Sequence, residues 1–161
     1  MPSPPIAFVE VDPRSPLAEQ AASRYFAELA VRFEGGFEIA AYAGKPSADP
    51  GRVLLALRDG RPVACGTVRR LAAGVAEIKR MWVDPTTRGV GLGRRLLARL
   101  EHLAAEQGLH LVRLDTNAAL TEAITLYDRS GYRRIPRYND NPYADVWFEK
   151  ILASAAGDLE V

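Results

Sequence analysis

The stretch Ile78-Lys79-Arg80-Met81-Trp82-Val83-Asp84-Pro85-Thr86-Thr87-Arg88-Gly89-Val90-Gly91-Leu92-Gly93-Arg94-Arg95-Leu96-Leu97 reads as a strand that runs into a glycine-rich turn and emerges as an amphipathic helix. Gly89, Gly91 and Gly93 stand at every second position, which removes Cβ atoms where the backbone must bend and where a ligand must come close. The helix that follows presents unpaired N–H groups and a partly positive end, so residues 88–94 form a seat for a diphosphate. A nucleotide P-loop would need Lys-Ser/Thr after its last glycine, and Arg94-Arg95 stands there instead. A dinucleotide fingerprint would need G-x-G-x-x-G, whereas this turn is G-x-G-x-G, although Asp115 sits near the downstream place of that fingerprint's acidic residue. The plain alternative is a tight turn whose glycines only permit close packing. The strand before it, the helix after it and the clustered arginines weigh against that alternative.

Composition narrows the class. The 161 residues most simply make one domain, 1–161, long enough to bury about two-thirds of the unfolded surface. A hydrophobic fraction of 48% with 25% charged residues is that of a soluble globular protein rather than a disordered or fibrous one. The net charge of +1 gives no global pull toward nucleic acid or membrane, so neither is expected as a partner and any basic patch must be local. Arg88, Arg94, Arg95 and Arg99 make such a patch, where phosphates would sit. Cys65 is the single cysteine, which excludes an intrachain disulfide and a Cys-based zinc site, and with only His102 and His110 beside it no metal is expected. No basic and apolar signal segment and no apolar run of membrane length is visible, so the expected location is cytoplasmic. Residues 1–5 and 153–161 are expected to be loose.

Periodicity orders the elements. Residues 7–11 read as a strand, and residues 16–33 carry Leu17, Ala21, Tyr25, Leu29 and Phe33 near helical spacing, as one helix or two, ended by Glu34-Gly35-Gly36. Residues 45–52 form a loop on the substrate side. Residues 53–57 and 62–70 read as a hairpin across Asp59-Gly60, followed by a strand over 75–83. Leu92, Leu96, Leu97, Leu100, Leu103 and Ala104 make one helical stripe over 92–107, with Gly108 placed to close it. A strand over 109–114, a helix over 121–130 closed by Gly131, and strands over 132–135 and 146–151 complete a mixed α+β sheet.

Arg88-x-x-Gly91-x-Gly93, preceded by Met81-x-Val83-x-Pro85, resembles the acetyl-coenzyme A signature of the GNAT superfamily of N-acetyltransferases. Ala123-Ile124-x-Leu126-Tyr127-x-x-x-Gly131-Tyr132 resembles that family's fourth helix and the turn after it. The two blocks cover roughly residues 53–150 in the right order. The resemblance implies a mostly antiparallel central sheet, splayed between its middle strands and flanked by helices, with acetyl-coenzyme A as co-substrate. It assigns the cofactor to the backbone of Met81, Trp82 and Val83 and to Arg88, Gly89, Val90, Gly91, Leu92, Gly93 and Arg94. The family often carries an asparagine three residues before the alanine of the second block. Leu120 stands there, and Asn117 either reaches the pantetheine from its earlier place or forms a turn and helix cap with Asp115 and Thr116.

The same resemblance supplies the expected chemistry. An oxyanion needs a fixed donor, which a backbone amide near Trp82 or Val83 can offer. The departing thiolate needs a proton, and a thiol near pKa ~8.5 can take one from a tyrosine near ~10, which points to Tyr127 as general acid; its alternative is a packed ring with a satisfied hydroxyl. Glu77 is the nearest carboxylate for the general base, or else a solvated glutamate early in a strand. Tyr138, Asn139, Asp140 and Tyr143, in the loop between the last two strands, are candidate acceptor contacts that could stack on and neutralise a cationic amine, and Arg80 could hold a substrate carboxylate or extend into water. Three activities fit: acetylation of a small-molecule primary amine, which is preferred, acetylation of protein lysines or N-termini, and non-catalytic acyl-coenzyme A binding. A free strand edge near the C-terminus would permit a homodimer.

Overall fold

Ala7–Val11 (β1), Arg52–Arg58 (β2), Arg61–Ala72 (β3), Val75–Val83 (β4), Leu111–Thr116 (β5), Arg133–Ile135 (β6) and Val146–Ile151 (β7) build one sheet in the order β1-β2-β3-β4-β5-β7-β6. All pairings are antiparallel except that of β4 with β5. The computed structural model describes residues 5–38, 49–88 and 91–153, so half of the expected loop over 45–52 and most of both termini lie outside the described residues. Three α-helices among the described residues flank the sheet: Pro16–Arg32 (α1), Leu92–Glu106 (α2) and Thr121–Arg129 (α3). None of them is long and apolar enough to cross a membrane.

Local chemistry sets the helix ends. Ser15 caps α1 by accepting from Ala18 N–H at 3.3 Å, and Pro16 occupies the first turn, where its missing N–H costs nothing. The helix then runs unbroken to Arg32 and buries Ala18, Ala21, Tyr25 and Leu29. At the end of α2, Gly108 adopts φ +76°, and the N–H of Leu109 turns back to Ala104 O at 3.0 Å. Leu109 is therefore spent on closing the helix, and β5 starts at Leu111, two residues later than the periodicity suggests.

Strand alternation distributes the core between two faces. Leu54, Ala56, Ala64, Val68, Ala76 and Ile78 pack with Leu92, Leu96, Leu97, Leu100 and Ala104 of α2. Leu55, Cys65 and Trp82 pack with Ala21, Tyr25 and Leu29 of α1. Each buried leucine contributes about 1.5–3 kcal/mol.

Ile78 and Trp82 are both even-numbered on one strand, yet they face opposite sides of the sheet. The register explains it: Thr67 lies opposite Lys79 and Cys65 opposite Trp82, so β4 spends three steps where β3 spends two. The extra residue is a β-bulge at Arg80, which takes the left-handed φ of +57°. Beyond it Met81 and Val83 turn to the α2 side. The Cys65 thiol donates to Arg80 O at 3.3 Å and holds the bulge from the neighbouring strand.

The splay implied by the resemblance is present in the register. β4 pairs with β5 only through Val75–Leu111, Ala76–Val112 and Glu77–Arg113. Past that point β5 continues to Thr116 against β7, while β4 continues to Val83 against β3 alone. The two middle strands part, and the far edge of residues 78–83 opens into a gap. Asp84 ends this edge: its carboxylate accepts from the Thr86 N–H and hydroxyl, each at 2.9 Å, and from Arg24 of α1 at 2.5 Å. Burial pushes the Asp84 carboxyl up, but those hydrogen bonds outweigh it and hold it below the usual carboxylate range.

Candidate active site

Two neighbouring cavities lie along β4 where it has left β5. A larger one, about 290 Å³, runs from the open edge of β4 at Met81–Val83 to the N-terminus of α2, with α3 along its side. A smaller one, about 40 Å³, lies between Lys79 and Arg80 of β4, the end of β5, Phe33 after α1, and Asn141 and Tyr143. Tyr25, Leu29, Met81, Leu120, Ala123 and Tyr127 line both. Such a shape suits two reactants brought in from opposite ends to meet near Met81 and Tyr127.

The outer end of the large cavity carries helix N–H groups and arginines, and the two carboxylates that also line it, Glu28 and Glu122, are paired with Arg88 and Arg32. Gly91 precedes α2 in the left-handed conformation, φ +74°, with no side-chain cap. The first helical bond is Arg95 N–H to Gly91 O, so the N–H groups of Leu92, Gly93 and Arg94 have no intrahelical acceptor. Arg94 and Arg129 are exposed on the same rim. Arg88 lines this cavity too, but its guanidinium donates to both carboxylate oxygens of Glu28 at 2.9 Å, which ties the turn to α1. Gly89 and Val90 lie outside the described residues.

Tyr127 is held by the close of its helix. Gly131 takes φ +90°, and the N–H of Tyr132 returns to Tyr127 O at 3.2 Å. The Tyr127 ring, 4% exposed, packs against Tyr132 and Phe148 at 5.7 Å each. The ring is thus fixed by core contacts while its residue borders both cavities.

Glu77 stands elsewhere. It is 1% exposed and lines neither cavity, and Arg69 holds its Oε1 at 2.7 and 2.9 Å while the Tyr138 hydroxyl donates to its Oε2 at 2.6 Å. A solvated glutamate does not describe it either, because it sits at the last β4–β5 pair, where the strands separate. Burial beside the Glu77 and Asp115 carboxylates pushes the Tyr138 hydroxyl well up, so it remains the donor.

The expected acceptor residues divide. Arg80 and Tyr143 line the small cavity; Asp140 is exposed outside it. Tyr138 is spent on Glu77, and Asn139 bridges Asp115 and the Trp147 indole at 2.5 and 2.9 Å. Asn117 also borders the small cavity, but its amide donates to Tyr143 O at 2.8 Å and accepts from Ala119 N–H at 2.9 Å, which is the turn of that alternative without the cap, since α3 starts after Leu120 with no side-chain cap. Sequence reasoning passed over Tyr25, Leu29, Arg129 and Asn141. Asn141 lies within the stretch singled out, whereas nothing in the spacing of α1 marks which of its residues face a gap formed by strands far along the sequence.

Comparison with known proteins agrees with this geometry. The model of the Acetyltransferase (GNAT) family matches residues 17–132, more than half of the chain. The "IAA acetyltransferase" of Azospirillum brasilense is 42% identical over 82 residues, 50% of this chain and 54% of that protein. The "Mycothiol acetyltransferase" of Thermomonospora curvata is 34% identical over 98 residues, 60% of this chain but 33% of that protein. The chain thus spans about half or less of the length of these two relatives. An acetyltransferase from Streptococcus agalactiae shares the fold, with a TM-score of 0.77 at 19% identity over 91% of this chain and 98% of that one. From its matched core and its splayed sheet alike, the chain belongs to the acetyltransferase (GNAT) family.

Proposed function

We propose that this chain moves an acetyl group from acetyl-coenzyme A to a primary amine of a small molecule by direct attack of the amine on the thioester. The observation that carries the reading is the pair of neighbouring cavities along β4 that share Met81 and Tyr127 in their linings. At the outer end, the free N–H groups of Leu92, Gly93 and Arg94 and the guanidinium groups of Arg94 and Arg129 suit a diphosphate. Along the middle, the unpaired edge of Met81–Val83 offers backbone groups to the pantetheine arm and an amide to the developing oxyanion. Tyr127 gives the departing sulfur its proton.

Glu77 is here a positioning residue: its carboxylate locks the fork of the splay through Arg69 and Tyr138. Glu77→Gln is expected to cost about 1.5–3 kcal/mol of stability, because a charge-assisted pair is replaced by a neutral amide. The alkaline limb of the rate profile of the folded variant should stay where it is. Urea unfolding and a pH–rate series check both, and a lost alkaline rise would restore Glu77 as the base.

The reading itself is tested by calorimetric titration with acetyl-coenzyme A, using NADH as the control. Saturable binding of acetyl-coenzyme A alone, followed by thiol release with a small amine, is the expected result. Absence of binding by folded protein would withdraw the assignment.

A further inference from the structure

The small cavity carries a charge pattern that selects among amines. Arg80 lines it, half-buried, with its guanidinium 5.2 Å from the centre of the Phe26 ring. Arg24, Arg32, Arg52, Arg69 and Arg88 each pair with a carboxylate. Arg80 has no carboxylate or hydrogen-bond acceptor for its side chain among the described residues. Its backbone is also the outlier of the strand, since φ +57° is costly for a residue with a Cβ and persists because the β3 pairing and the Cys65 thiol enforce it. A half-buried cation with no acid paired to it among the described residues, on a strained bulge, is a seat for an anion.

An acid, Asp115, shares this lining, but neither a hydrogen bond nor an ion pair joins it to Arg80 among the described residues. Asp115 receives the side-chain N–H groups of Asn139 at 2.5 Å and Asn141 at 3.2 Å, so its oxygens are already engaged. The opposite wall is apolar, with Phe33 and Tyr143 stacked at 5.7 Å.

We propose that the acceptor is a primary amine that also bears a carboxylate and an apolar side chain, an amino-acid-type substrate, and that Arg80 is the specificity-determining residue that holds the carboxylate. This rests on the acetyltransferase reading above. The neutral amine nitrogen bonds to the acetyl carbon, the carbon–sulfur bond breaks, the sulfur leaves with the proton from Tyr127 as free coenzyme A thiol, and the one proton lost by the nitrogen passes to water, from which Tyr127 is reprotonated. The product is an N-acetylated amino acid, and no oxidant or reductant is consumed.

The test uses matched pairs that differ only in the carboxylate: L-phenylalanine with phenethylamine and L-leucine with isoamylamine, with spermidine as a purely cationic amine. Each is titrated by calorimetry into coenzyme A-loaded protein and assayed for thiol release with acetyl-coenzyme A. The amino acids should bind at least roughly tenfold more tightly than their decarboxylated partners, as a charge-assisted pair predicts. Arg80→Gln, which keeps a non-glycine residue at the bulge, should erase that ratio without moving the acetyl-coenzyme A Kd, and Arg80→Lys should retain part of it. Amino acids that bind no better than their partners, or a ratio that persists in Arg80→Gln, overturn the inference. If thiol release with spermidine or phenethylamine accompanies that result, the acetyltransferase reading stands and only the acceptor class falls; failure to bind acetyl-coenzyme A overturns both.

Discussion

Tyr127→Phe is expected to lower turnover about 10²–10⁴-fold, the range for removal of a positioned general acid, while the Kd for acetyl-coenzyme A changes little. The substitution deletes one oxygen from a ring that Tyr132 and Phe148 already hold at 5.7 Å, so the aromatic packing that places residue 127 remains. The carbonyl of residue 127 still receives the Tyr132 N–H that closes α3. A loss confined to turnover would mark an interaction made only in the transition state. Calorimetric Kd and single-turnover thiol release separate the two quantities. Unchanged turnover would remove Tyr127 from the mechanism, and a parallel loss of cofactor affinity would make it a wall of the cavity instead.

Gly66→Val is expected to cost about 3 kcal/mol of stability, the upper end for an overpacked core, and to weaken acetyl-coenzyme A binding in the protein that still folds. A Cβ built on Gly66 would lie 2.5 Å from Leu100 Cδ1 and 3.1 Å from Met81 Sδ. Leu100 is fully buried, so it has no free volume into which to retreat. Met81 yields by turning its thioether into the cavity space that it lines beside the β4 edge. The clash is therefore transmitted to the cavity that the proposed reaction uses. Urea midpoints and calorimetry on one preparation check both effects. Stability within 0.5 kcal/mol of the parent, the ordinary range for a surface substitution, would show that α2 can lift from the sheet at no cost.

Much of this molecule is readable before any coordinate is known, because its signals are local. The stripe from Leu92 to Ala104 with its closing glycine, the two apolar runs of β2 and β3 across Asp59-Gly60, and the Gly91–Gly93 turn each depend on residues within a few positions of one another. Arg88-x-x-Gly91-x-Gly93 and Tyr127 within its helix carry the family and its cofactor end. Local signals also misled: Leu109 reads as strand because it is apolar and next to a strand, but its N–H closes α2. Asn139 and Tyr138 read as acceptor contacts because they sit in the right loop, but their polar atoms are taken by Asp115, Trp147 and Glu77.

Tertiary structure decided what the site does with those residues. No glycine or proline announces the bulge at Arg80, whose left-handed backbone is enforced by pairing with a strand brought in from elsewhere in the sequence, and it alone explains why Trp82 faces α1 while Met81 faces the gap. Whether Glu77 is a solvated carboxylate, a base or a buried lock depends on Arg69 and Tyr138, the second of them 61 positions away. A carboxylate's chemistry follows from the charges and donors around it. Those neighbours are set by strand register and splay, which arise only when the whole sheet closes, and so no window of sequence contains them.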